Sequence, residues 1–89
     1  MHNKIWFLYI IRSSTNDKLY TGIALDPTKR LAIHNAGRGA KFTHQGRPWY
    51  NVYTEEVGSN GDALRRERAV KKLGRAGKLK LIADQAPKA

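Results

Sequence analysis

The sequence has no cysteine, which excludes disulfide bonds and thiolate metal sites. It also lacks the ~18 consecutive apolar residues of a membrane-spanning helix, because its most apolar run is only Ile5 to Ile11. That run has neither the length nor the cleavage site of a signal peptide, so we expect a cytoplasmic protein without membrane contact. We predict a single domain over residues 1 to 83 and a frayed tail over 84 to 89.

Acidic residues are scarce. Seven Asp and Glu stand against seventeen Lys and Arg, so the formal net charge is +10 in 89 residues. Such a surface attracts polyanions, because it displaces the counterions condensed on nucleic acid. Charge alone favours contact with nucleic acid over the alternative of a merely soluble basic protein, such as a ribosome-associated one, and says nothing about enzyme activity.

Hydrophobic patterning predicts the order β-β-α-β-α-α, an α+β domain with helices packed on a small three-stranded antiparallel sheet. Ile5 to Ile11 is apolar on both faces, which is typical of a central strand, and Lys18 to Ile23 pairs with it as a hairpin. Asp26 and Pro27 predict the start of a helix, since they supply a capping side chain and a first-turn proline. Gly37 is expected to end that helix.

The second half of the chain continues this pattern. The predicted segments are a loop over Gly37 to Pro48, a strand over Trp49 to Val57, a helix over Ala63 to Leu73 capped by Ser59 or Asn60, and one or two helical turns within Arg75 to Ile82. The loop is aperiodic and long for so small a domain, which favours a functional role for it.

Glu67 occupies an unusual place on the predicted second helix. At 100° per residue it falls in the apolar sector formed by Ala63, Leu64 and Val70. A carboxylate in an apolar sector needs a bound cation or a partner. The alternative to a metal ligand is a boundary glutamate that pairs with Lys71, four residues further on.

Arg30 and His34 share one face of the first predicted helix through their i,i+4 spacing. Arginine grips phosphate with two donors and histidine relays protons, but an ordinary solvated helix face is the simpler interpretation. Tyr9 and Tyr20 lie on the hairpin strands, where tyrosine usually packs. A phenol is a poor base unless nearby cations favour the phenolate.

Several segments match a known pattern in the same order. They are Leu8-Tyr9-Ile10, Tyr20-Thr21-Gly22, Lys29-Arg30-Leu31 with His34-Asn35, Gly37 to Lys41, Leu64 to Glu67, and Lys71 to Arg75. In this order they resemble the GIY-YIG nuclease family, and most closely its small stand-alone bacterial members of the YhbQ type. The resemblance covers residues 4 to 83. Leu8 and Thr21 depart from the family letters, and Ile23 stands where some members carry lysine.

The resemblance implies a role for each matched residue. Glu67 would hold a single divalent cation, Mg²⁺ or Mn²⁺, and Arg30 would stabilise the scissile phosphate. Tyr9 or Tyr20 would help to deprotonate the attacking water, and His34 would assist that transfer or contact the phosphate. The implied activity is metal-dependent cleavage of DNA that is branched, nicked or single-stranded, in repair or recombination. The alternative is a non-catalytic module for DNA or RNA, and in either case a partner protein is a possible source of targeting.

Basic residues surround Glu67, since Arg65 to Lys80 contains eight cations and no other acidic residue. Phosphate contacts position a nucleic acid without reading its sequence. The predicted contacts are Arg38, Lys41, Arg47, Arg65, Arg68, Lys71, Lys72 and Arg75, with His44 in the same loop. Trp49 or Tyr50 could stack on an unpaired base, but core packing at the start of the strand is the favoured interpretation.

Overall fold

A computed structural model describes residues 4 to 86 and contains one antiparallel sheet covered by helices. The elements in chain order are β1 (Trp6–Ser13), β2 (Leu19–Ala24), α1 (Pro27–Asn35), a 3-10 helix (Lys41–His44), β3 (Trp49–Gly58), α2 (Asn60–Lys72) and α3 (Gly74–Gln85). The predicted α+β class and element order are confirmed, and the predicted loop contains the 3-10 helix in addition. In the part of the chain that is described, no helix is both long and apolar enough to cross a membrane.

The central position of β1 follows from its side chains. β1 lies between β2 and β3 and is antiparallel to both, as predicted. Leu8, Tyr9, Ile10 and Ile11 are each exposed by 1% or less, because both faces of a central strand are covered. Tyr9 lies opposite Gly22 in the pairing of β1 with β2.

The starts of α1 and α2 follow from capping side chains. Asp26 accepts a hydrogen bond from the backbone N–H of Lys29 at 3.1 Å, and Pro27 is the first helical residue. Ser59, one of the two predicted caps, accepts from the N–H of Asp62 at 3.2 Å. These caps satisfy N–H groups that a helix leaves without an internal partner.

The C-terminal helix is longer than predicted. α3 has 12 residues, and Asp84 and Gln85, which the sequence analysis placed in the tail, belong to it. The Gln85 amide binds both backbone groups of Thr54 on β3, accepting from its N–H at 3.2 Å and donating to its carbonyl at 2.6 Å. Leu81 and Ile82 also pack against the core, so tertiary contacts extend the helix. The rest of the predicted tail, residues 87 to 89, lies outside the described residues.

The two faces of the sheet carry separate cores. Leu8, Ile10, Tyr53 and Val70 form the core beneath α2 and α3. The opposite core contains Tyr9, Ile11, Ala24 and Trp49, with Tyr20 and Leu31 packed against it. Tyr9 therefore faces α1, on the side of the sheet that the candidate site occupies.

Trp49 belongs to the core, and Tyr50 does not. Trp49 is 2% exposed, and its Nε1–H lies 3.1 Å from the carbonyl oxygen of Thr43 and 3.2 Å from that of Gln45. Core packing, the favoured interpretation of the two considered for Trp49, is therefore correct, and stacking on a base is excluded for this side chain. Tyr50 is 47% exposed at the start of β3.

Candidate active site

A chain of hydrogen bonds joins the central strand to α1 and to the 3-10 helix. The phenol oxygen of Tyr9 lies 2.8 Å from Nε2 of His34, and Nδ1 of His34 lies 2.7 Å from Oγ1 of Thr43. The hydroxyl of Thr43 donates to the carbonyl oxygen of Ala40 at 2.7 Å. The three side chains are exposed by 1% or less, so water competes poorly for these bonds.

The hydrogen bonds fix the tautomer of His34. A carbonyl oxygen can only accept, so the single hydroxyl proton of Thr43 is used on Ala40. Oγ1 of Thr43 therefore accepts from His34, which places the imidazole proton on Nδ1. Nε2 keeps its lone pair and accepts the phenol proton of Tyr9.

Burial sets the protonation state of both rings. Burial raises the pKa of Tyr9 to about 12, with Tyr20 adding to the rise and Arg30 opposing it. Burial also lowers the pKa of His34, and the charge of Arg30 lowers it further. At neutral pH, Tyr9 is therefore a protonated donor and His34 a neutral acceptor. A phenolate favoured by cations does not form at Tyr9, because burial outweighs the effect of Arg30.

Two glycines leave room for these rings. A Cβ at Gly22 would lie 2.5 Å from the phenol oxygen of Tyr9 and 2.7 Å from its Cζ. A Cβ at Gly39 would overlap the imidazole ring of His34. A side chain at either position would displace a ring from the hydrogen-bonded chain.

Tyr20 and Arg30 lie beside the hydrogen bonds that connect Tyr9, His34 and Thr43. The ring of Tyr20 meets that of His34 edge-on with centroids 5.1 Å apart, and its centroid lies 6.4 Å from that of Tyr9. Arg30 is exposed on α1, and its guanidinium is close enough to the Tyr9 phenol to influence its pKa. The fold therefore brings together four of the predicted site residues from β1, β2 and α1, namely Tyr9, Tyr20, Arg30 and His34. An ordinary solvated helix face is the wrong interpretation for His34, which is fully buried.

Glu67 lies on α2, and its carboxylate is a minor contributor to the raised pKa of Tyr9. The side chain is 19% exposed, and its Oε2 lies 3.4 Å from Nζ of Lys71, the ion pair predicted as the alternative to a metal. Ala63 and Val70 are fully buried, as expected for the apolar sector, whereas Leu64 is 40% exposed and lies outside it.

The donor set around Glu67 limits the kind of cation that fits. Among residues 4 to 86, no group of three or more His, Cys, Asp or Glu side chains is arranged to hold a metal. Both ring nitrogens of His34 are already hydrogen-bonded. Mg²⁺ commonly takes one or two carboxylates and completes its shell with water and substrate phosphate. The single carboxylate of Glu67 is therefore sufficient for a cation whose other ligands are water and the substrate phosphate.

The cations predicted to contact phosphate are all exposed. They are Arg38, Lys41, Arg47, Arg65, Arg68, Lys71, Lys72 and Arg75. Three of them form ion pairs, Arg65 with Asp62, Lys71 with Glu67 and Arg75 with Asp17. Pairs between exposed side chains are weak, so a phosphate can replace the carboxylate.

Two residues in contact with the site, Thr43 and Phe42, were not predicted from the sequence; the ring of Phe42 stacks on that of Tyr20 with centroids 6.0 Å apart. Thr43 reaches His34 across nine residues of aperiodic chain, and no spacing rule connects them. Phe42 had a weak signal, because it is an aromatic residue between Lys41 and His44 in a polar loop.

Comparison with known proteins identifies the family. A sequence model described as the GIY-YIG catalytic domain matches residues 5 to 80. The chain belongs to the GIY-YIG family. It is 44% identical over 79 residues to a UPF0213 protein of Pseudomonas aeruginosa, covering 89% of this chain and 75% of that one. A UPF0213 protein of Staphylococcus aureus is 42% identical over 79 residues, with 89% and 95% covered.

A solved structure supports the same assignment. The solution NMR structure of the UPF0213 protein BH0048 from Bacillus halodurans matches with a TM-score of 0.58 at 32% identity. The match covers 91% of this GIY-YIG chain and 85% of that protein. The GIY-YIG family is one of endonucleases. The buried hydrogen bonds that connect Tyr9, His34 and Thr43 therefore lie in a nuclease fold.

The two GIY-YIG motifs pair with each other across the sheet. Tyr9 of the first motif lies against Gly22 of the second. Leu8, the first departure from the family letters, is fully buried with Ile10 in the core beneath α2, so its side chain fills space there. Thr21, the second departure, is 2% exposed. These departures therefore leave the Tyr9 side of the sheet unchanged.

Proposed function

We propose that this protein is a divalent-metal-dependent endonuclease that hydrolyses DNA phosphodiester bonds. The observation that supports this most is the chain from Tyr9 through His34 to Thr43, because it presents an oriented lone pair to a phenol. Arg30 and Glu67 supply the charges that a phosphate and a cation require, and both influence the pKa of that phenol. A module that only binds nucleic acid needs a basic surface but no such buried proton acceptor.

In the proposed reaction, Arg30 turns to the scissile phosphate and grips it with its planar guanidinium. Because Tyr9 is only 1% exposed, the proposed reaction requires that this movement open the phenol oxygen to the attacking water. The water gives a proton to Tyr9 while Tyr9 gives its own proton to Nε2 of His34. The resulting hydroxide attacks phosphorus, and the P–O bond to the departing oxygen breaks. That oxygen takes its proton from solvent.

Two residues support these steps. Thr43 holds the imidazole in the tautomer that receives the proton, so it is a positioning residue. Glu67 is the proposed ligand of Mg²⁺ or Mn²⁺. The cation, when bound with the substrate, supplies charge stabilisation at the departing oxygen.

The proposed substrates are branched, nicked or single-stranded DNA in repair or recombination. The exposed cations support phosphate contacts, which position a strand without specifying its sequence. A cytoplasmic location and a partner protein that directs the enzyme to its substrate belong to the same proposal.

The direct test is incubation with labelled branched, nicked, single-stranded and duplex DNA, each in Mg²⁺, Mn²⁺ or EDTA. We expect cleavage with metal and none with EDTA. Tyr9→Phe keeps the ring against Gly22 but removes the transferable proton, and should cut at least about a hundredfold more slowly. Tyr50→Phe, at an exposed tyrosine, is the matched control. Binding of these DNAs without cleavage under any metal condition would favour the non-catalytic module.

A further inference from the structure

An exposed aromatic ring adjoins the candidate active site. Phe42 is 50% exposed on the 3-10 helix, and its ring stacks on that of Tyr20 with centroids 6.0 Å apart and planes 25° apart. Trp49 supports it from the core at 6.2 Å. Since Tyr20 in turn meets His34, only one ring separates Phe42 from the proton acceptor.

Phe42 borders two open cavities. One, of about 320 Å³, is lined by Lys18, Leu19, Phe42, Gly74, Arg75 and Lys78. The other, of about 370 Å³, is lined by Asn16, Lys18, Lys41, Phe42, His44 and Gln45. Both fall within the roughly 300 to 1,000 Å³ of small-ligand pockets. Among the described residues, no carboxylate lines either cavity, and Nζ of Lys18 lies 5.8 Å from the centroid of the Phe42 ring.

Positive charge continues from these cavities to Glu67. The Lys78 pKa is lowered by burial and by Lys71, so the two ammonium groups are close enough to repel each other. Lys71 pairs with Glu67 at 3.4 Å. The acidic residue near the first cavity, Asp17, is held by both Arg12 and Arg75. A bound phosphate would relieve the repulsion between the lysines.

We propose that Phe42 is a stacking platform for an unpaired nucleobase beside the scissile phosphate, with Lys18 and Lys78 contacting the flanking phosphates. The position beside the scissile phosphate rests on the proposed function, whereas the stacking itself does not. Sites for single-stranded nucleic acid combine an aromatic face with a groove of cations. Here Phe42 supplies the face, and Lys18 and Lys78 supply cations beside it. Such a platform would make strands with an unpaired nucleotide next to the cleaved bond the preferred substrate.

Stacking is measurable without metal or cleavage. A single-stranded DNA carrying one 2-aminopurine, moved from position to position, should lose fluorescence at one position when the protein binds in EDTA. Phe42→Leu should abolish that quenching and weaken binding roughly 5- to 100-fold. Phe42→Trp should retain both, and Ile5→Ala, at an apolar side chain exposed to a similar degree, should change neither.

An abasic site tests the same contact with the protein unaltered. Placed at the quenched position, it should weaken binding to the wild type but add little loss in Phe42→Leu. Unchanged quenching and affinity in Phe42→Leu, or quenching at no position, overturns the platform and favours a protein ligand for this surface. Tighter binding of the same sequence as RNA overturns its place beside a DNA bond. If the protein quenches the fluorescence at one position but cuts no DNA, the proposed nuclease activity is contradicted and the stacking role of Phe42 is retained.

Discussion

Nδ1 of His34 lies 2.7 Å from Oγ1 of Thr43, and this contact determines which imidazole nitrogen faces Tyr9. Thr43→Val removes the acceptor while nearly keeping the volume of the side chain. It leaves a buried N–H without a partner, which should lower the free energy of unfolding by about 1–3 kcal/mol. We also expect a lower kcat with little change in KM, because the tautomer that accepts from Tyr9 is no longer fixed.

Thr43→Ser separates these effects from a general loss of structure. Serine restores the hydroxyl, so it should recover most of the kcat, as measured by single-turnover cleavage of labelled DNA. Thr28→Val, at an exposed threonine of α1, is the control for the same chemical change. A Thr43→Val protein that cuts at the wild-type rate would show that the tautomer of His34 does not matter.

The lowered pKa of His34 predicts a pH dependence with a definite sign. The ordinary histidine pKa is about 6.5, and the folded value lies below it because of burial and Arg30. The stability that neutral His34 contributes is therefore present above about pH 6.5 and is lost as pH falls through the folded pKa.

The pH dependence of cleavage should be set by the same group, the imidazole of His34. The acid limb of kcat/KM should lie below about pH 6.5, since His34 must be neutral to accept a proton. Tyr9, with a pKa of about 12, should produce no alkaline limb near neutrality. Measurement of kcat/KM against pH checks both expectations, and an acid limb above the ordinary histidine pKa would contradict the assigned role of His34.

Local signals predicted most of the fold. Asp26, Pro27 and Ser59 cap helices through contacts within a few residues, and the two-sided apolar run of β1 marks a buried central strand. The extension of α3 was missed because it depends on Gln85 binding Thr54, 31 residues away in the chain.

The candidate site was predictable only in part. The resemblance identified Tyr9, Arg30 and His34, and the structure brings them together. It could not show that burial outweighs the nearby cation at the Tyr9 phenol, because the sequence does not give the depth of a side chain. Thr43 was missed because its function depends on a tertiary contact made by an irregular segment.

Arg30 should act through the shape of its guanidinium as well as its charge. Arg30→Lys keeps the charge but loses the planar fork that grips two phosphate oxygens. We expect it to bind DNA nearly normally and to cut poorly, with Arg30→Gln weaker in both. Gel-shift binding in EDTA and single-turnover cleavage measure the two properties. Near-normal cleavage by Arg30→Lys would mean that Arg30 contributes only charge.

The exposed cations should make DNA affinity strongly dependent on salt. If about five phosphates are contacted, log K should fall against log salt with a slope on the order of −4. Replacing Lys71, Lys72 and Arg75 by Ala should flatten this slope and weaken all sequences about equally. Fluorescence anisotropy over a salt series measures it, and a slope near zero would contradict binding through these residues.

Glu67→Gln tests the proposed cation ligand. Glutamine keeps the size and hydrogen-bonding ability of the side chain but removes the charge that a hard divalent cation requires. The fold should survive, because the partner in the ion pair, Lys71, is 52% exposed and such pairs contribute little. Loss of a cation that stabilises developing charge should slow cleavage by roughly a thousandfold or more.

The control and the binding data separate this role from the alternatives. Glu56→Gln makes the same change at an exposed carboxylate of β3 and should cut normally. Without metal, Glu67→Gln should bind DNA as well as or better than the wild type, because a negative charge leaves a basic surface. If the ion pair with Lys71 is the only role of Glu67, the variant is slightly less stable but fully active. A folded Glu67→Gln protein with wild-type cleavage in Mg²⁺ or Mn²⁺ therefore removes Glu67 as the cation ligand.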